Sequence, residues 1–172
     1  MINNKYVFEL DVKFNTDELI KIVNNRKVSG LRSHQQNAAD YEYTNYLYNK
    51  HHKILGKIWN YYHLTPHTGF RKHIDARRPT ALNIPLYGHE GSTTKFYEMP
   101  ADGLEYNDRM VAYDINKDVQ ETFSFTLTNP SIINVSEPHS VESGPQDRLI
   151  LSWGIVVGFE EAKQYIKEHG IN

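Results

Sequence analysis

No cysteine occurs in the 172 residues, so no disulfide closes the fold and no thiolate can hold a metal. Its absence fits a reducing compartment. The opening Met1-Ile2-Asn3-Asn4-Lys5 carries no apolar core of the secretion-signal kind. Together these predict a cytoplasmic chain. No apolar run approaches the roughly 18–20 residues needed to cross a bilayer, and no basic run is present. With a formal net charge of −2, the composition argues against a dedicated nucleic-acid binder. Internal repeats, low-complexity tracts and linkers are also missing, which leaves a single domain over 1–172. What the chain does have is apolar material: hydrophobic residues make up 39%. A domain of this length buries roughly 70% of its unfolded surface.

The first third reads as mainly helical, over about 1–58. Tyr6–Val12 alternates as a strand. Asn15-Thr16-Asp17-Glu18 is a helix start, a polar cap with a carboxylate three residues on, and the helix should run to about Arg26. Val28–Ala39 is polar and irregular, the texture of a loop. From Asp40 to Ile58 the spacing after Leu47 favours a second helix.

At Trp59 the pattern changes to short β-rich runs separated by turn signals about every ten residues, the mark of an all-β roll or barrel. Strands are expected near Trp59–Leu64, Phe70–Ile74, Ala81–Leu86, Lys95–Glu98, Met110–Tyr113, Thr122–Leu127, Ile132–Val135, His139–Val141 and Leu149–Val157. Phe159–His169 closes the chain as a helix that Gly170 stops. The expected fold is mainly β with flanking helices, a double-sheet roll over about 59–157.

His73-Ile-Asp75 is the stretch with chemistry in it. Side chains two apart on a strand point the same way, so an imidazole and a carboxylate can grip one cation from one side. His139, in Glu137-Pro138-His139-Ser140-Val141, is the best third ligand. Two histidines and one carboxylate with open positions form the facial triad of non-haem Fe(II) oxygenases. The same donors can also hold zinc for hydrolysis. Arg148 follows nine residues after His139. An arginine beside the triad is a receptor for a carboxylate, which favours an acid co-substrate over hydrolysis. The turn Ser143–Gln146 suggests a hairpin that sets Arg148 opposite the neighbourhood of Val141. Arg77 and Arg78 divide evenly between anion binding and solvated charge, and His67 and His89 read as surface histidines.

These residues resemble the Fe(II)- and 2-oxoglutarate-dependent dioxygenases, closest in flavour to the aspartyl/asparaginyl β-hydroxylase and prolyl-hydroxylase-like members. The pieces are Leu64-x-Pro66, His73-x-Asp75, Leu82-Asn83-Ile84-Pro85 and Pro138-His139-Ser140-Val141, then Gly144, Asp147-Arg148 and Leu149-Ile150-Leu151. They cover Tyr62 to Trp153. The resemblance implies a double-stranded β-helix, that is, a cupin-like jelly roll. It implies Fe(II) held by His73, Asp75 and His139, and 2-oxoglutarate whose distal carboxylate lies on Arg148. It further implies a hydroxyl from Tyr62 or Ser152 assisting that arginine, and Asn83 near the chelating end. The implied activity is hydroxylation of an amino acid, peptide or small metabolite with release of succinate and CO2. The chain departs from the β-hydroxylases at His67, where they have glycine, and at Ile150, where other branches have serine. It keeps Asp75 where some β-hydroxylases lack the carboxylate. The alternative reading is a non-enzymatic cupin-like module that binds a small acid or sugar.

Overall fold

The computed structural model describes residues 1–24, 33–99, 105–106, 111–113 and 119–171. In chain order the strands are β1 (Val7–Glu9), β2 (Ser33–Asn37), β3 (Leu55–Leu64), β4 (Gly69–Asp75), β5 (Thr80–Tyr87), β6 (Thr93–Tyr97), β7 (Glu105–Tyr106), β8 (Val111–Tyr113), β9 (Glu121–Phe125), β10 (Ser131–Asn134), β11 (His139–Glu142) and β12 (Arg148–Ile155). Three helices accompany them: α1 (Thr16–Asn24), α2 (Glu42–His51) and α3 (Phe159–His169). The strands form two six-stranded sheets, ordered β1-β10-β5-β12-β3-β2 and β7-β8-β4-β11-β6-β9, with every pairing antiparallel. The central four of the first sheet, β10-β5-β12-β3, and β4-β11-β6-β9 of the second make an eight-stranded jelly roll.

Alternation along β12 and its neighbours decides what goes where. Leu149, Leu151, Trp153 and Ile155 share one face with Leu55, Trp59 and Tyr61 of β3 and Leu82 and Ile84 of β5. These join Leu19, Leu47, Phe159 and Ala162 of the helices in one buried cluster. Trp153 therefore lies on the helical side, as its parity opposite to Arg148 predicts, and its indole N–H donates to the Gly56 carbonyl at 2.6 Å. Full burial of each such side chain is worth about 1.5–3 kcal/mol, so the helices are held by this face. A second cluster lies between the sheets: Ala81, Ile133 and Ile150 from one, Phe96 and Phe125 from the other, with Tyr6 and Val7. It fills one part of the roll and leaves the rest as a cavity.

Several expectations are corrected. The polar stretch before Asp40 contains a strand, β2, paired with β3 from Ser33↔Tyr62 to Asn37↔Ile58. Polar residues suffice there because β2 is an edge strand that gains its stability from backbone pairing. The second helix ends at His51, and β3 already begins at Leu55. The β-branched and aromatic run Ile54–Tyr62 is captured by the sheet, whose long-range pairing overrides the local helical spacing. Ser143–Gln146 does not close a hairpin. β11 lies between β4 and β6 in one sheet, while β12 lies between β3 and β5 in the other. The turn therefore crosses between sheets. The expected first helix beyond Asn24, Gly30, the turn Pro100–Gly103 and Met110 lie outside the described residues. Asn15 does cap α1, its Oδ1 accepting the Glu18 N–H at 3.2 Å.

Candidate metal centre and acid pocket

His73 and Asp75 stand at the end of β4, where the Asp75 N–H donates to the Val135 carbonyl at 2.9 Å. His139 opens β11, directly paired with His73. The register then slips, so that Val141 faces Phe70 and β4 carries an extra residue. Such a bulge redirects side chains beside a site, and both Phe70 and Arg71 line the cavity. One donor atom from each of His73, Asp75 and His139 lies within 4.8 Å of the others. The imidazole rings are 4.2 Å apart between centroids, and His73 Nε2 is 3.5 Å from Asp75 Oδ1.

Backbone carbonyls orient both rings. His73 Nδ1 lies 2.6 Å from the Arg71 carbonyl and His139 Nδ1 2.9 Å from that of Glu137. A carbonyl only accepts, so Nδ1 carries a proton in each ring and Nε2 is the atom left to meet a metal. This is the arrangement that metal-ligating histidines use. Burial, then the neighbouring His73, pulls the His139 imidazole down to about 4, so at neutral pH it is an uncharged donor. Burial by itself would raise the Asp75 carboxyl, but the hydrogen bond to His73 and the charge of Arg78 outweigh it and hold the group well below the usual carboxylate range. The donor set thus offers two imidazole nitrogens and one carboxylate, which suits Fe(II) and leaves coordination positions open.

Arg78 is the residue that spacing alone left undecided. It is not a solvated charge. Its Nε donates to Asp75 Oδ2 at 2.7 Å and its Nη1 to Ser152 Oγ at 2.9 Å. Ser152 Oγ in turn donates to Asn83 Oδ1 at 2.6 Å. The chain Asp75–Arg78–Ser152–Asn83 ties the metal-site carboxylate to β12 and β5, leaving Oδ1 facing His73. The signal in the sequence was the three-residue spacing between Asp75 and Arg78 across a turn. Arg77, by contrast, is exposed.

Arg148 is 1% exposed, and its Nε and Nη1 have no hydrogen-bond partner among the described residues. Burial pulls it down from the ordinary arginine range to about 10. Ser152, expected to assist it, is engaged by Arg78 and Asn83 instead. Tyr62 also lines the cavity; burial, the largest influence, raises its hydroxyl, with the charge of Arg78 opposing. Neither hydroxyl bonds to Arg148. The cavity holds about 770 Å³ and takes in His73, Asp75, His139, Tyr62, Asn83, Arg148 and Ser152 together. All seven residues singled out from the sequence therefore face one space. Of the other histidines, His67 is exposed and has a left-handed backbone, φ 56°. His89 is partly buried, with a shielded Nδ1.

No protein-family model and no curated protein sequence matches this chain. Solved structures do. A prolyl-4-hydroxylase from Pseudomonas putida superposes with a TM-score of 0.52 at 15% identity, over 90% of each chain. Looser likenesses are to ycfD of E. coli, with a TM-score of 0.48 at 11% identity over 95% of this chain and 54% of that one, and to vicilin of hazelnut, Corylus avellana, with 0.41 at 11% over 75% and 30%. At such identities the likeness speaks to the fold alone. The site rests on its own geometry. No described helix is long and apolar enough to cross a membrane.

Proposed function

We propose that this chain is an Fe(II)- and 2-oxoglutarate-dependent dioxygenase that hydroxylates an amino-acid, peptide or small-metabolite substrate and releases succinate and CO2. One observation carries the reading: a fully buried guanidinium with N–H groups unpartnered among the described residues shares a cavity with a two-histidine, one-carboxylate cluster. A buried charge without a partner is expensive, and a small acid entering the cavity supplies the partner. His73, Asp75 and His139 would hold the iron, which when bound supplies the oxidative chemistry. Arg148 would take the distal carboxylate of 2-oxoglutarate, a planar fork meeting a planar acid. Arg78 keeps Asp75 turned toward the imidazoles. Leu64, Phe70, Val141 and Ile150 around the cavity exclude water from the acid end.

The non-enzymatic alternative, a roll that binds a small acid or sugar, accounts for Arg148 but gives no reason for two imidazoles gathered on Asp75. Anaerobic titration tests the reading. Protein with Fe(II) should develop a weak visible charge-transfer band on adding 2-oxoglutarate, and Asp75→Ala should lose it. In air, succinate should form. Arg148→Ala should raise the 2-oxoglutarate requirement steeply. Succinate release that persists unchanged in both variants would defeat the proposal, and acid binding that ignores the metal would favour the alternative.

A further inference from the structure

The cavity has two ends of different character. The inward residues of β12 run Arg148, Ile150, Ser152 and Gly154. At about 3.3 Å per residue the ends of this row lie roughly 20 Å apart. A five-carbon diacid, with four C–C bonds of about 1.5 Å, spans about 6 Å at most. An acid seated on Arg148 therefore leaves the Gly154 end free.

At that end the β3–β12 pairing breaks. Trp153 pairs with Trp59 and Ile155 with Leu55, so Gly56, Lys57 and Ile58 together oppose the single residue Gly154. The bulge is why Lys57 lines the cavity, although simple alternation would put it on the helical face with Leu55 and Trp59. A Cβ on Gly56 would come within 3.2 Å of the Gly154 carbonyl oxygen, so the two strands are close there. On the other side of β12, Thr80 of β5 pairs with Ile155, which brings the preceding turn, with Arg77, to the same level.

The charge at this end has no counterpart. Among the described residues, Lys57, Arg71, Arg77, Arg78 and Arg148 line the cavity against one carboxylate, Asp75. Arg78 is spoken for by Asp75, and Arg148 is assigned above to the co-substrate. Lys57 and Arg77 are exposed and form no ion pair with a described residue. This is not general basicity, since the whole chain carries −2. A cleft lined by one sign of charge concentrates ligands of the other. We infer that the substrate to be oxidised is a small anion whose carboxylate or phosphate group is held at the Gly154 end by Lys57 and Arg77. The inference rests on the reading of the metal and acid site given above. The cavity volume falls in the range of roughly 300–1,000 Å³ that encloses small molecules, which favours a small anion over a polymer.

The test is calorimetric titration of the Mn(II)-loaded protein, saturated with 2-oxoglutarate, with N-acetylaspartate, O-phosphoserine and the neutral control N-acetylasparagine. At least one anion should bind ten-fold or more tightly than the control, and which one does so tells carboxylate from phosphate. The double variant Lys57→Gln/Arg77→Gln should lose that preference while binding 2-oxoglutarate as the native protein does. Arg71→Gln, an exposed cation beside Phe70, should keep it. Equal binding of all three probes, an unchanged preference in the double variant, or an equal loss in Arg71→Gln would overturn the inference. So would binding of a single-stranded oligonucleotide with both small anions ignored. If 2-oxoglutarate fails to bind while the anion preference persists and depends on Lys57 and Arg77, the dioxygenase reading falls and the anion site stands.

Discussion

Replacing Arg148 by methionine should make the ligand-free protein more stable. The side chain is 1% exposed, with two donor nitrogens unsatisfied among the described residues. Burial lowers its affinity for the proton from the ordinary value of 12.5 to about 10. At 1.36 kcal/mol per unit, keeping that charge inside costs about 3 kcal/mol. Methionine is unbranched, of similar reach, and adapts to irregular space. It loses some packing around the former guanidinium, so a net gain of about 1–3 kcal/mol is expected, in line with other buried charges replaced by apolar side chains. For a chain of this length each kcal/mol moves Tm by about 2–4 °C, which puts the variant roughly 2–12 °C above the native protein. Under exclusion of oxygen and with Fe(II) present, 2-oxoglutarate at a hundred times its Kd should raise the native protein by about 2.7 kcal/mol. The variant should show little of that shift. Differential scanning calorimetry of both proteins, with and without the acid, measures all four quantities. A methionine variant that is less stable than the native protein and still responds fully to 2-oxoglutarate would show that Arg148 is neither strained when empty nor the acid's receptor.

His139→Ala and Asp75→Ala should each lower Fe(II) or Mn(II) affinity at least ten-fold by equilibrium dialysis, with folding retained by circular dichroism. Metal-free protein should lose stability on acidification. The folded-state value for His139 is about 4 against 6.5 unfolded, so the unfolded chain binds the extra proton and about 3 kcal/mol disappears between pH 6.5 and 4. Asp75, depressed in the fold, adds a further loss below its unfolded value as the pH falls through the range where it titrates. Urea midpoints across pH 2–7 follow both, and His139→Ala should flatten the upper part of the curve. Ser152→Ala should loosen Arg78 and weaken metal binding less than Asp75→Ala does, an ordering the same dialysis reads. Gly69→Ala should destabilise by about 1–3 kcal/mol or more, because a Cβ there would clash with the Val141 carbonyl oxygen; an unchanged Tm would contradict the β4–β11 pairing.

Much of the site could be read without coordinates because its residue types are unusual where they stand. An imidazole and a carboxylate two apart on a strand share a face by covalent geometry alone. An arginine heading the apolar run Leu149–Trp153 has to be accommodated inside or break the strand. The alternation of that run also sets Trp153 on the face opposite Arg148, which is the helical side. Strand existence from Trp59 onward was legible in the short β-rich runs, except for the two-residue β7.

Sequence alone thus marked ten of the twelve described strands and the shared face of His73 and Asp75, since these depend on residues a few positions apart. Tertiary structure decided which strands lie side by side. The turn at Ser143–Gln146 crosses between sheets, β2 pairs at an edge despite its polar residues, and Arg78 closes on Asp75 and Ser152. Bulges at β4 and β3 turn Arg71 and Lys57 toward the cavity, against or beyond what alternation alone would specify. Each of these depends on backbone pairing between segments distant in the chain, and backbone hydrogen bonds carry no side-chain signature by which a single sequence could announce its partner.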